Sequence, residues 1–82
     1  MLYYVYILKS IKSGKIYIGL SKDPERRLKE HNRGSNKFTK GHTPWVLIYK
    51  EAVGNRIATR QREKELKRSY SKRTKILNNI PG

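Results

Sequence analysis

Eighty-two residues with no cysteine, and with 20 Lys or Arg against 6 Asp or Glu, carry a formal charge of +14. A chain this short holds one modest core, so a single domain over 1–82 is expected; disulfides and thiolate zinc sites are excluded, and two histidines, His31 and His42, are too few for a closed tetrahedral metal site, which leaves oxygen ligands for any metal. The positive field attracts polyanions by neutralising phosphates and releasing counterions, making nucleic acid the expected partner, while no long amphipathic helix argues for a membrane surface.

Leu2 to Lys9 is nearly continuous in apolar and aromatic residues, many of them β-branched or aromatic, which predicts a strand covered on both faces. It is far shorter than the roughly 20 residues of a spanning helix and no charged segment precedes it, so a soluble, cytoplasmic protein is expected. Ser10 to Gly14 carries turn residues. Lys15 to Leu20 then alternates, with Ile16, Ile18 and Leu20 on one face and Tyr17 and Gly19 on the other. In the resulting hairpin Tyr6 and Tyr17 lie about equally far from the turn and are expected close together on adjacent antiparallel strands.

Asp23, Pro24 and Glu25 mark a helix start, as cap, first-turn proline and dipole-favoured acid, and the helix is predicted to run to about Gly34. Its periodicity sets Arg27, Leu28 and His31 on one side and turns Arg26, Lys29 and Glu30 elsewhere. Arg33 to Thr43 has no period and is predicted as a loop rich in phosphate-binding donors, with Phe38 its only apolar residue. Pro44 to Val53 is the third strand, with the proline at its entrance, and Gly54-Asn55 ends it. Asn55 caps a helix to about Ser69, whose apolar stripe is Ala58, Leu66 and Tyr70. Nine of the twenty basic residues lie between Arg56 and Lys75. Ser71 is positioned to cap a last short helix toward Asn78, and Pro81-Gly82 ends the chain. Nucleic-acid contacts are expected from Lys37, Lys40, Arg60 and Lys67.

Six tyrosines invite a distinction between packing and chemistry. Tyr3, Tyr49 and Tyr70 are expected at the edge of the core with their hydroxyls in water. Tyr6 and Tyr17 stand in otherwise apolar strands, and Gly19 leaves open backbone beside Tyr17, as a site needing close approach would. An Arg27 that points inward beside Leu28 must meet an acid or an anion, with His31 one turn away. Glu63 falls beside Leu66 and Tyr70 on the helix and is either a functional carboxylate or a salt-bridge partner of a neighbouring Arg, whereas Glu65 is expected to pair at the surface. No phosphate-cradling glycine loop, serine nucleophile motif, paired-histidine zinc signature or RNA-recognition string is present.

In order and spacing, Tyr4-Val5-Tyr6, Tyr17-Ile18-Gly19, Arg27 to Asn32 and Arg62 to Lys67 resemble the GIY-YIG nuclease domain, over residues 2 to about 70. The likeness is to its small stand-alone bacterial members, which are named for similarity to the nuclease subunit of excision repair. The resemblance implies an α/β (α+β) fold: a three-stranded antiparallel sheet flanked by helices in the order β-β-α-β-α-α. It implies a metal-dependent endonuclease acting on DNA, with RNA not excluded, using Mg²⁺ or Mn²⁺. Tyr6 and Tyr17 match the signature tyrosines, Arg27 the arginine beside the scissile phosphate, His31 a histidine-or-tyrosine position, and Glu63 the sole carboxylate metal ligand. The first signature departs from the pattern as Tyr-Val-Tyr, and Asn78 or Asn79 is placed to fill the family's asparagine position.

The base stays open between Tyr17, Tyr6 and His31. A phenol must drop about 3 pH units from its ordinary value to act at neutrality, a shift that Arg27 and a bound metal both favour, whereas an imidazole starts near 6.5. The rival function is a non-catalytic nucleic-acid-binding module of the same fold, and a small RNA-associated protein is a further alternative. With no second domain expected, specificity is predicted to be low, directed at DNA structure, or supplied by a protein partner.

Overall fold

The computed structural model describes residues 2–79, and the terminal Pro81-Gly82 pair lies outside them. Three strands, β1 (Tyr3–Ser10), β2 (Ile16–Ser21) and β3 (Trp45–Gly54), form one antiparallel sheet in the order β2-β1-β3. Helices α1 (Pro24–Asn32) and α2 (Lys37–Lys40) precede β3, and α3 (Arg56–Arg68) and α4 (Tyr70–Asn78) follow it. None of the helices among the described residues is long and apolar enough to cross a membrane.

The continuous apolar run of β1 has a physical cause: it is the central strand and both of its faces are covered. Val5, Ile7 and Leu8 are 0% exposed and Tyr6 is 1% exposed. Val5 and Ile7 pack with Ile18 and with Leu66 of α3, joined by Ile76 and Leu77 of α4. Tyr6 and Leu8 point the other way, into a cluster with Trp45, Tyr17 and Leu28 of α1. Alternation along β2 distributes Ile16 and Ile18 to the first cluster and Tyr17 to the second.

Local chemistry sets the helix starts. The Asp23 carboxylate accepts from the Arg26 amide with Pro24 in the first turn, and the Asn55 side chain accepts from the Ala58 amide. Asn32 at the end of α1 clamps the start of β3, donating to the Trp45 carbonyl at 3.1 Å and accepting its amide at 2.6 Å.

Four expectations are corrected. The 33–43 segment is not wholly irregular, because the Asn36 side chain accepts from the amides of Phe38 and Thr39 and so nucleates α2. The last helix is capped by Ser69 instead of Ser71, since the chain leaves helical geometry at Ser69 and its hydroxyl accepts from the Lys72 amide. That break rotates Tyr70 out of the α3 stripe, where it is 73% exposed. Ala58 is half-buried and Thr59 is buried in its neighbourhood, its hydroxyl satisfied by the Asn55 carbonyl at 2.7 Å. Lastly, the Tyr49 hydroxyl is not simply solvated: it donates to Glu51 at 2.6 Å.

Candidate active site

The hairpin register pairs Tyr6 with Gly19 and Leu8 with Tyr17, so the two tyrosines are diagonal neighbours on one face, with ring centroids 6.3 Å apart. The space beside Gly19 is not open. A Cβ there would come within 2.6 Å of the Tyr6 hydroxyl oxygen, so the glycine makes room for the Tyr6 ring and not for an incoming ligand.

His31 on α1 is fully buried between the two tyrosines and α2. Its Nε2 lies 3.2 Å from the Tyr6 hydroxyl and its Nδ1 2.9 Å from the Thr39 hydroxyl. Because Thr39 directs its own proton to the Asn36 carbonyl, it is left to accept from Nδ1–H, and Nε2 is left to accept the proton of Tyr6. A directed chain thus runs Tyr6, His31, Thr39, Asn36. Thr39 went unnoticed in the sequence, where its signal was only its place in the third position after Asn36.

Burial dominates the titration of the cluster. It pushes the Tyr6 hydroxyl up to about 12, against the pull of Arg27. Tyr17 is raised for the same reason, again against Arg27 and with Glu63 adding to the rise. Arg27 pulls both phenols toward phenolate as expected, but desolvation of the charged form outweighs the guanidinium. His31 is shifted down by burial and then by Arg27, so it is neutral at pH 7.

Arg27 lies beside Tyr6 and is half-buried, and it meets an acid as expected: Glu30. Glu30 does not turn wholly away from this side of α1, since it pairs with Arg27 as well as with Arg26, the latter at 3.3 Å. Glu63 contrasts with the other acids. Asp23 is used in its cap, Glu25 with Lys50, Glu30 with the two arginines, Glu51 with Arg62 and Tyr49, and Glu65 with Arg62 and Lys72. Glu63 has only the Lys67 ammonium at 3.7 Å, among the described residues, and its side chain is 14% exposed. Glu63 thus pairs with a lysine and not with the neighbouring Arg62, which Glu51 and Glu65 hold.

That donor set bears on the metal. No cluster of three or more His, Cys, Asp or Glu side chains exists among the described residues, which does not suit an all-protein cage. A hydrated divalent ion needs only one or two carboxylates plus substrate phosphate, and Glu63, held only by the distant Lys67 ammonium and raising both phenols by its charge, fits that requirement.

Tyr17 opens onto a groove of about 620 Å³ beside β2, an outer strand of the sheet, and Phe38 and Lys67 line it too. Lys37 and Lys40 are exposed on α2, the helix that carries Phe38, whereas Arg60 is exposed on α3 and does not line this groove. Asn78 and Asn79 are exposed at the end of α4 and take no part in the tyrosine–histidine cluster.

An antiparallel three-stranded sheet between helices defines an α+β domain, with Tyr6, Tyr17 and His31 gathered on one face of the sheet and Arg27 beside Tyr6. The chain belongs to the GIY-YIG catalytic-domain family, whose profile matches residues 2–76. It is 40% identical over 74 residues to a UPF0213 protein of Haloquadratum walsbyi, covering 89% of this chain and 81% of that one. A UPF0213 protein of Staphylococcus saprophyticus is 37% identical over 75 residues, covering 90% and 89%. The solution structure of a UPF0213 protein from Bacillus halodurans is similar at 34% identity and a TM-score of 0.57, covering 95% of this chain and 84% of that one.

Proposed function

We propose that this protein is a divalent-metal-dependent endonuclease that hydrolyses phosphodiester bonds of DNA, directed by DNA structure more than by sequence. The observation that carries the reading is Glu63, the one acid among the described residues held by nothing closer than the Lys67 ammonium at 3.7 Å, which acts electrostatically on the same two tyrosines as Arg27 in a strongly basic chain. Membership of a nuclease family supports it.

Glu63 would hold Mg²⁺ or Mn²⁺, which when bound supplies Lewis-acid stabilisation of charge on the phosphoryl oxygens. Arg27 is placed to add fixed positive charge to the phosphate, and Glu30 holds the guanidinium meanwhile. Tyr17 is the phenol that reaches the groove, so of the two signature tyrosines it is the one able to touch substrate. Its raised pKa makes it a neutral hydrogen-bond donor in the resting protein, and it must lose that proton to a nearby acceptor before serving as a base. Neutral His31 is fully buried with both ring nitrogens engaged, and it positions Tyr6 instead of meeting water.

Labelled DNA incubated with Mg²⁺ or Mn²⁺ tests the reading. The wild type is expected to cut and Glu63→Ala to lose at least about a hundredfold in rate, as removal of a charge-stabilising group does. Equal behaviour of the two proteins would sink the proposal and leave a nucleic-acid-binding module. Running duplex, nicked, flapped and junction DNA beside RNA identifies the preferred substrate.

A further inference from the structure

The groove beside Tyr17 is larger and more apolar than phosphate hydrolysis requires. Phe38, 54% exposed, lies 6.1 Å from the Tyr17 ring at an interplanar angle of 35°. Tyr70, 73% exposed, lines the same groove, with the Arg73 guanidinium 5.7 Å from its centroid. Ile16 adds to the apolar lining, and Lys67, also in the lining, pairs with Glu63. The volume of about 620 Å³ lies within the range of pockets that take small organic groups.

Two large aromatic side chains left in water on so charged a chain call for an occupant with a flat apolar face and negative charge. A second copy also carries +14 and is repelled. A nucleotide meets both demands, since its base stacks on rings while its phosphates face Lys67 and Arg73. A paired base is already stacked on both faces and cannot enter, so only an unpaired one qualifies.

We propose that the groove bounded by Phe38, Tyr17 and Tyr70 is a stacking site for an unpaired nucleotide of the substrate strand, which makes DNA with a single-stranded segment the substrate class. This rests on the nuclease reading for its connection to cleavage, while the binding it predicts is independent of it. The groove shares Tyr17 with the candidate active site and, through Lys67, borders Glu63, so a base seated there holds its own backbone close to the hydrolytic groups.

Fluorescence anisotropy in excess chelator tests it, with no hydrolysis to interfere. A single-stranded oligonucleotide, the same strand with abasic sites, and a blunt duplex are titrated with wild type and with the Phe38→Ala, Tyr70→Ala double variant. Both side chains are exposed, and a thermal melt verifies that the variant folds. The double variant is expected to lose at least about fivefold in affinity for the single strand and less than about twofold for the duplex, since base stacking on a ring is worth that much or more. Abasic sites should reproduce the loss on the wild type, and Tyr70→Phe should keep wild-type affinity. Equal losses on single strand and duplex, or no loss, overturn the proposal. So does concentration-dependent self-association that the double variant abolishes while oligonucleotide affinity stays unchanged. A wild type that shows the selective binding but never cleaves in Mg²⁺ keeps the groove and removes the nuclease reading; one that cleaves yet shows no selectivity removes the groove alone.

Discussion

Gly19 has no room for a side chain, because its Cβ position lies 2.6 Å from the Tyr6 hydroxyl oxygen and 2.7 Å from its Cζ. Tyr6 cannot yield freely, being 1% exposed and bonded to His31. Gly19→Ala is therefore expected to overpack the site by about 1–3 kcal/mol, lowering Tm by roughly 4–8 °C per kcal/mol in a domain of this size. A thermal melt of unchanged midpoint would show that Tyr6 is not wedged there. His31 supplies a second test at this scale. Its folded pKa lies below the ordinary 6.5, so the unfolded chain binds the proton more tightly. Its contribution to stability is complete above about pH 6.5 and declines as pH falls from there. Denaturant midpoints measured from pH 7 to 5 should fall, and the His31 ring proton followed by NMR should titrate below 6.5.

At the scale of elements, α2 shows how a few side chains organise a segment that lacks any hydrophobic period. Asn36 accepts two amides at its start, Thr39 is buried against His31, and the Thr39 carbonyl accepts from the Trp45 indole at 2.8 Å. The helix thereby links the tyrosine–histidine chain to the start of β3 and presents Phe38 to the groove. Asn36→Ala is expected to cost about 1 kcal/mol, and the cost should be local. Hydrogen exchange at the Phe38 and Thr39 amides would accelerate severalfold while amides in β1 hold their protection; uniform acceleration would mean that α2 is coupled to global unfolding.

For the whole molecule, the charge of +14 governs how it meets its partner. If 6 to 10 phosphates are contacted, affinity for DNA should drop roughly 10³- to 10⁵-fold between about 50 and 200 mM salt, and a flat response would rule out phosphate-led binding. At this scale sequence and tertiary structure divide the work. The order of strands and principal helices was legible in the chain because period-two alternation, a central unbroken apolar run and capping residues such as Asp23 and Asn55 are local consequences of residue type. Spacing and family pattern likewise singled out Tyr6, Tyr17, Arg27, His31 and Glu63. What only the folded chain decided is non-local: that Gly19 yields its space to Tyr6, that burial overrides Arg27 in setting both phenols, that Thr39 orients His31, and that Ser69 breaks the helix and swings Tyr70 to the groove. Desolvation, side-chain hydrogen bonds and hairpin register each depend on residues brought together from distant parts of the chain, and no local periodicity encodes them.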